Sequence, residues 1–203
     1  MANRNTQGFG LIPAGVMGQT PATSGQGKYK IDAGYATSLF QGSAVRLDNA
    51  GGANTNPGYI ITAQAAITNH TIGVLNGVFF NAATTNKPTF QNFYTQVTPA
   101  NSEDITAFVI DNPFQQYVGS ADAAVAQSNI GRTVGLTVTA AGSTSSGQSS
   151  SELTIGTIHN INNQWRLLRV AEDPENEDIT AANASYVVMI NKSEYFGTGT
   201  VGQ

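Results

Sequence analysis

Apolar and polar residues alternate along most of this chain in short runs, and the runs are separated by clusters of Gly, Asn, Ser and Pro, which is the pattern of strands and turns. YKID and SLFQGSAVRL, between Lys28 and Leu47, read as two short strands with Gly34 between them and Gly42 as a bulge or tight bend. GYIITA, PTFQNFYTQV, ELTIGTI, QWRLLRV and ASYVVMI read the same way. In TVGLTVT, Val134, Leu136 and Val138 fall on one face and Thr133, Thr137 and Thr139 on the other, which predicts a strand buried on one face. DITAFVID is apolar at successive positions and predicts a strand buried on both.

In TIGVLNGVFF, Asn76-Gly77 lies between apolar pairs and predicts a two-residue type I′ hairpin turn, in which both central residues take positive φ. Residues 120–130 are the one segment that reads as a helix, with Ser120 as its cap, alanines inside and Gly131 at its end. DNAGGANTNPG, from Asp48 to Gly58, is a surface loop, and the Ser/Gly-rich residues 140–151 read as a flexible excursion. The fold class is therefore all-β, a β-barrel or β-sandwich with little helix. The segments after residue 151 are too few to bury a core alone, so they are read as completing one domain over 28–192, followed by a tail at 193–203. A separate small unit starting near 152 is the alternative.

Composition narrows the function. Charged residues are 11% of the 203, and the formal net charge is -4, with Lys and Arg scattered along the chain. No basic stripe exists to follow a phosphate backbone, so nucleic acid is not an expected partner. Nothing approaches the ~18 apolar residues of a membrane helix, and no basic and apolar leader opens the chain, so neither membrane insertion nor secretion is expected. With no cysteine, no disulfide or thiolate metal site exists.

Candidate chemistry is sparse. His70 and His159 lie among Asn, Thr and Ile, without a carboxylate at strand or helix spacing, and read as surface or turn residues. GFGLIPAG has a Gly-x-Gly start, but no strand precedes it and Pro13 blocks a helix after it, so it is no phosphate loop. The acidic run 172–178, EDPENED, lacks the spacing and glycine of a calcium loop and reads as a solvated turn pairing with Arg166 or Arg169. Glu103-Asp104 reads as a strand edge, and no two of the thirteen acids present themselves as a glycosidase pair. Neither catalysis, a metal nor a cofactor is expected.

The opening segment is different in kind. From Asn5 to Gly27 there is no charge, and there are six glycines and two prolines. Ordering about twenty residues costs on the order of 20–40 kcal/mol. Phe9, Leu11, Ile12, Val16 and Met17 return only ~1.5–3 kcal/mol each when fully buried. If ordered, such a segment needs backbone hydrogen bonds to a neighbouring surface, as in strand addition to a sheet edge. Residues 2–27 are therefore read as an interaction arm, with those five side chains as its contacts.

Several stretches together resemble a family of small virion proteins of tailed bacteriophages, of the marine and cyanobacterial phage kind: NRNTQGFGLIPAG, GKYKIDAGYATSLFQGSAV, IGVLNGVFFNAATTNKPTF, DNPFQQY and WRLLRVAEDPENEDITAANASYVV. The resemblance spans most of the chain and implies a capsid decoration or cement protein, made in the host cytoplasm and placed on the outer capsid surface. The size favours such a protein over the shell subunit itself, which resembles a longer chain with a long spine helix that no segment here supplies. Proteins of this type are commonly β-barrel or β-sandwich trimers whose N-terminal arms grip capsomers, so the implied partner is a major capsid protein and the implied state a homotrimer. Val187 and Met189, opposite to Tyr186, Val188 and Ile190 on one strand, are the candidate trimer contacts, unless both faces are simply core. A receptor- or carbohydrate-binding virion module displaying loops 48–58 and 140–151 is the competing reading.

Overall fold

A computed structural model describes residues 3, 6–18, 25–48, 58–63, 70–137, 142–158, 163–172, 174, 176 and 178–196. Two main sheets, antiparallel in every ladder between named strands, pack as a sandwich-like all-β fold. The chain forms them nearly in succession. Its strands are β1 (Ile12–Val16), β2 (Gly27–Ile31), β3 (Leu39–Phe40), β4 (Ala44–Leu47), β5 (Ile60–Thr62), β6 (Gly73–Asn81), β7 (Pro88–Gln91), β8 (Phe93–Tyr94), β9 (Ile105–Ile110), β10 (Gln115–Ser120), β11 (Thr133–Leu136), β12 (Leu153–Thr154), β13 (Trp165–Val170) and β14 (Ser185–Ile190). The first sheet runs β1-β10-β14-β13-β11-β12. The second runs β2-β9-β6-β4-β5 with β7 also on β6, while β3 and β8 form a small ribbon.

Alternation explains the two cores. In β14, Tyr186, Val188 and Ile190 point inward with Tyr117, Trp165 and Leu167 of neighbouring strands, and this layer packs on Ala44, Val74 and Ile110 from one end of the second sheet. Tyr117 and Trp165 meet edge to face at 5.6 Å, a favoured aromatic geometry. On the other face of the second sheet, Ile31, Val45, Leu75, Val78, Ile105 and Val109 pack on Leu39 and Tyr94 of the ribbon. Strands β12 to β14 share a sheet with β1, β10 and β11, so residues beyond 152 complete a layer begun at residue 12.

Four local expectations are corrected. Asn76-Gly77 is no hairpin turn: both residues lie inside β6, and the register against β9 shifts between Leu75 and Gly77 as a bulge. Gly77 eases the packing there, since a Cβ would stand 3.2 Å from the Phe90 ring and 3.0 Å from the Gln91 carbonyl, tighter than ordinary van der Waals contact. The helix over 120–130 is absent: Ser120 ends β10, and only Gln127–Asn129 forms a short 3₁₀ turn, without a side-chain cap. In β11 Thr133, Val134, Gly135 and Leu136 are all buried, so both faces are covered; Val138 and Thr139 lie outside the described residues. In β9 only one face is fully buried, because Thr106 and Phe108 remain half-exposed.

The Ser-rich stretch is not an excursion over its described part, 142–151. Gln41 N donates to Gly147 O, Ser149 N to Gln41 O, and Asn92 Nδ2 to Ser146 O. Ser149 and Ser151 are almost fully buried, with their hydroxyls hydrogen-bonded to each other at 2.9 Å. Serine hydroxyls satisfy polar groups locally, which lets a low-complexity segment dock against the fold.

Candidate interaction surfaces

The opening segment explains its glycines by where it goes. Ile12–Val16 adds to β10 as the edge strand of the chain's own first sheet, with Ile12 opposite Val118 and Val16 opposite Gln115. Before it, Gly10 N donates to Ser151 O and Leu11 N to Gly42 O. A Cβ on Gly8 would lie 2.3 Å from Ser150 O, and one on Gly10 2.8 Å from the Ser149 side chain, so this approach of backbones admits only glycine. Leu11 is 1% exposed in the first core, resting where Gly119 leaves room. Pro13 and the register shift after it blunt the outer edge of β1 against a further strand.

These placements revise the arm. Leu11 and Val16 are buried in the protein's own interior and are not contact residues for a second molecule in this conformation. Phe9 is half-buried, whereas Ile12 and Met17 remain exposed. Residues 19–24 of the arm lie outside the described residues. Val187 and Met189 do point away from Tyr186, Val188 and Ile190, but Val187 is only 3% exposed within one chain and Met189 is half-buried, so they offer little area to a trimer contact. The tail begins later than residue 193: Thr71 N donates to Lys192 O, Glu194 N to Thr71 O, and Glu194 Oε1 accepts from Leu47 N. Residues 197–203 lie outside the described residues.

The two sheets are offset, and the offset creates the first surface. The face of the second sheet that covers the first core at Val74 and Ile110 continues past the edge of the first sheet. There it carries Phe79, Phe90 and Phe108, matched across strands as Phe79 with Phe90 and Gly77 with Phe108. Phe90 is 65% exposed and Phe79 38% exposed. The Phe90 ring lies over Gly77, with its centroid 5.6 Å from that of Phe108. On β2, exposed Lys28 and Lys30 stand on the same face, opposite Phe108 and Thr106. Lys30 is 3.3 Å from Asp104 and lies over the Tyr59 ring.

At the step between the two sheets lies a groove of about 210 Å³. Leu11, Val74, Leu75 and Ile110 contribute its apolar lining, and Gln41, Asn76 and Gln148 contribute amides. Gln41 Nε2 donates to Asn76 Oδ1, and Gln148 Nε2 to Phe9 O. No charged side chain lines it.

A second exposed apolar surface gathers at the far end of β1. Met17 N donates to Phe114 O, and the Phe114 and Phe196 rings are 5.7 Å apart. Beside them Tyr195 holds the hydroxyl of Tyr29, and both hydroxyls reach Asp111 Oδ2. Burial, followed by the Tyr195 and Asp111 contacts, pushes the Tyr29 pKa upward and keeps it protonated.

Titratable groups elsewhere are dispersed. Among the described residues, no three His, Asp or Glu side chains gather as metal ligands. His70 is half-buried, and desolvation together with Lys192 lowers its pKa; His159 lies outside the described residues. Of the acidic run, 173, 175 and 177 also lie outside them; Asp178 accepts from Thr180, which lowers its pKa. Arg166 bonds Gly131 O and Asn191 Oδ1, and Arg169 bonds Gln116 Oε1. Glu152 is raised by burial and by Asp122 nearby.

The exposed rings of the shelf were not singled out by sequence reasoning, because aromatic strand residues look alike whether they face core or solvent. The chain matches no family model, no curated protein and no solved structure.

Proposed function

We propose that this chain is a non-catalytic virion structural protein that decorates the outer surface of a tailed-phage capsid and cements neighbouring capsomers, acting on the major capsid protein as a homotrimer. The observation that supports this reading most is the uncovered aromatic shelf of Phe79, Phe90 and Phe108, bordered by Lys28 and Lys30 and ending in an uncharged groove. Rigid aromatic rings on a sheet face offer contact area at little entropic cost, which suits a protein interface. The lysines favour a partner of net acidic surface. Joining such contacts in one multimer makes the later ones intramolecular, and avidity then exceeds a single contact by ~10²–10⁴.

The test is co-sedimentation of the purified protein with empty shells of the tailed phage that encodes it. The wild type co-sediments, and Phe90→Asp weakens binding by about 30-fold or more, as expected for a hot spot of ~2 kcal/mol. Failure of the wild type to bind any shell overturns the reading. The amide rim of the groove, Gln41, Asn76 and Gln148, is the feature that favours the carbohydrate-binding alternative. That reading predicts a glycan-array signal lost in Asn76→Ala and no shell binding.

A further inference from the structure

We infer that Met17, Phe114, Tyr195 and Phe196 form the surface by which one copy of this chain associates with another. The four side chains are 47%, 50%, 51% and 60% exposed, and they come from three separate parts of the chain that meet at one place. Met17 follows β1, Phe114 lies in the turn between β9 and β10, and Tyr195 and Phe196 belong to the C-terminal 3₁₀ turn Glu194–Phe196. Three rings that bury ~150–250 Å² each when covered, here about half open, leave roughly 300 Å² exposed before Met17 is added. A contiguous apolar patch of that size on a monomer commonly has a use.

The occupant follows from charge. Association about a symmetry axis sets residues near their own copies, so exposed charge repels itself while uncharged rings pack. The charged groups at this patch are turned into the fold: Asp111 Oδ2 accepts from the hydroxyls of Tyr29 and Tyr195, at 2.7 and 3.3 Å, and Glu194, in the same turn as Tyr195 and Phe196, accepts from Leu47 N on Oε1 while its Oε2 is buried. The aromatic shelf differs, because Lys28 and Lys30 stand exposed beside it; it suits an unlike, acidic surface. The two surfaces thus divide the work, one for copies of this chain and one for a foreign partner.

The patch is also held ready. Phe114 is fixed by Phe114 N donating to Asn112 Oδ1 at 2.9 Å and by its carbonyl on Met17 N. The turn that carries Tyr195 and Phe196 is pinned by Thr71, by Leu47 N on Glu194 and by the Tyr29 hydroxyl. Little ordering remains to oppose association.

The inference supplies the multimer that the decoration reading needs, yet it stands on the patch alone. It is tested by native mass spectrometry of the full-length protein across a concentration series. The wild type forms a multimer, and the double variant F114D/F196D falls to the mass of a single chain with its circular dichroism unchanged, whereas F90D keeps the wild-type mass. A wild type that stays monomeric at its solubility limit, or a folded double variant that keeps the multimer, overturns the inference. Should the double variant misfold, F196C answers instead, since the chain has no other cysteine. A bismaleimide then links copies to one another in solution, and no linkage overturns the proposal. Shell binding by a protein that fails these tests would leave the decoration reading standing without this interface; self-association without shell binding would do the reverse.

Discussion

Glu194 shows how one side chain carries the C-terminal docking. Its Oε1 accepts from Leu47 N, while burial raises its pKa and the Leu47 amide and Arg46 only partly oppose that shift. A carboxyl with a raised folded pKa binds more protons folded than unfolded. Stability therefore falls as pH rises from about 4.3 through the folded pKa. Glu194→Gln keeps an acceptor for Leu47 and removes the buried charge. The melting temperature of the variant relative to wild type rises between pH 4 and pH 7, as measured by differential scanning calorimetry; a difference independent of pH contradicts the assignment. Leu11 is the opposite kind of residue, apolar and 1% exposed. Leu11→Ala costs about 2–5 kcal/mol in denaturant unfolding, the range for a buried leucine. A cost near zero would mean that the opening segment is not part of the core.

At the scale of elements, β1 is the lesson. Ordering it was legible as a need for backbone hydrogen bonds, because its few apolar side chains cannot offset the entropy. The sheet it joins was not legible, because β10 hides its inward face: Gln115, Tyr117 and Gly119 leave only one large apolar residue to read. Gln115 Nε2 donates to Gly15 O and Gln116 O, and Gly119 makes way for Leu11. The strands β13 and β14 were plain from WRLLRV and SYVVMI, where alternation and large side chains agree. Local signals failed where tertiary contacts outweighed them. Asn76-Gly77 serves a bulge under the Phe90 ring, and the alanines of 120–130 follow a strand that ends at Ser120, with Ala121 drawn into the first core. Deleting residues 2–17 removes β1 and Leu11 together, so the truncated chain unfolds at a markedly lower temperature than the full one. An unchanged melting curve contradicts the cis placement of the strand.

For the whole molecule, the offset of the two sheets matters more than any single residue. It leaves the aromatic shelf and groove open on one side, while the ends of β1 and of the C-terminal turn leave an apolar patch at another place. The decoration proposal calls for two such surfaces of unlike character, one to join copies of the chain and one to hold the shell. The shelf residues were present in the sequence as ordinary strand aromatics, and only the packing separates Phe90 from a core phenylalanine such as Phe80. The most direct test is electron cryomicroscopy of empty shells incubated with the purified protein. The account predicts added density at the junctions between capsomers, with Phe79, Phe90 and Phe108 turned toward the shell. Bare shells, or density in which that face looks out to solvent, would contradict it.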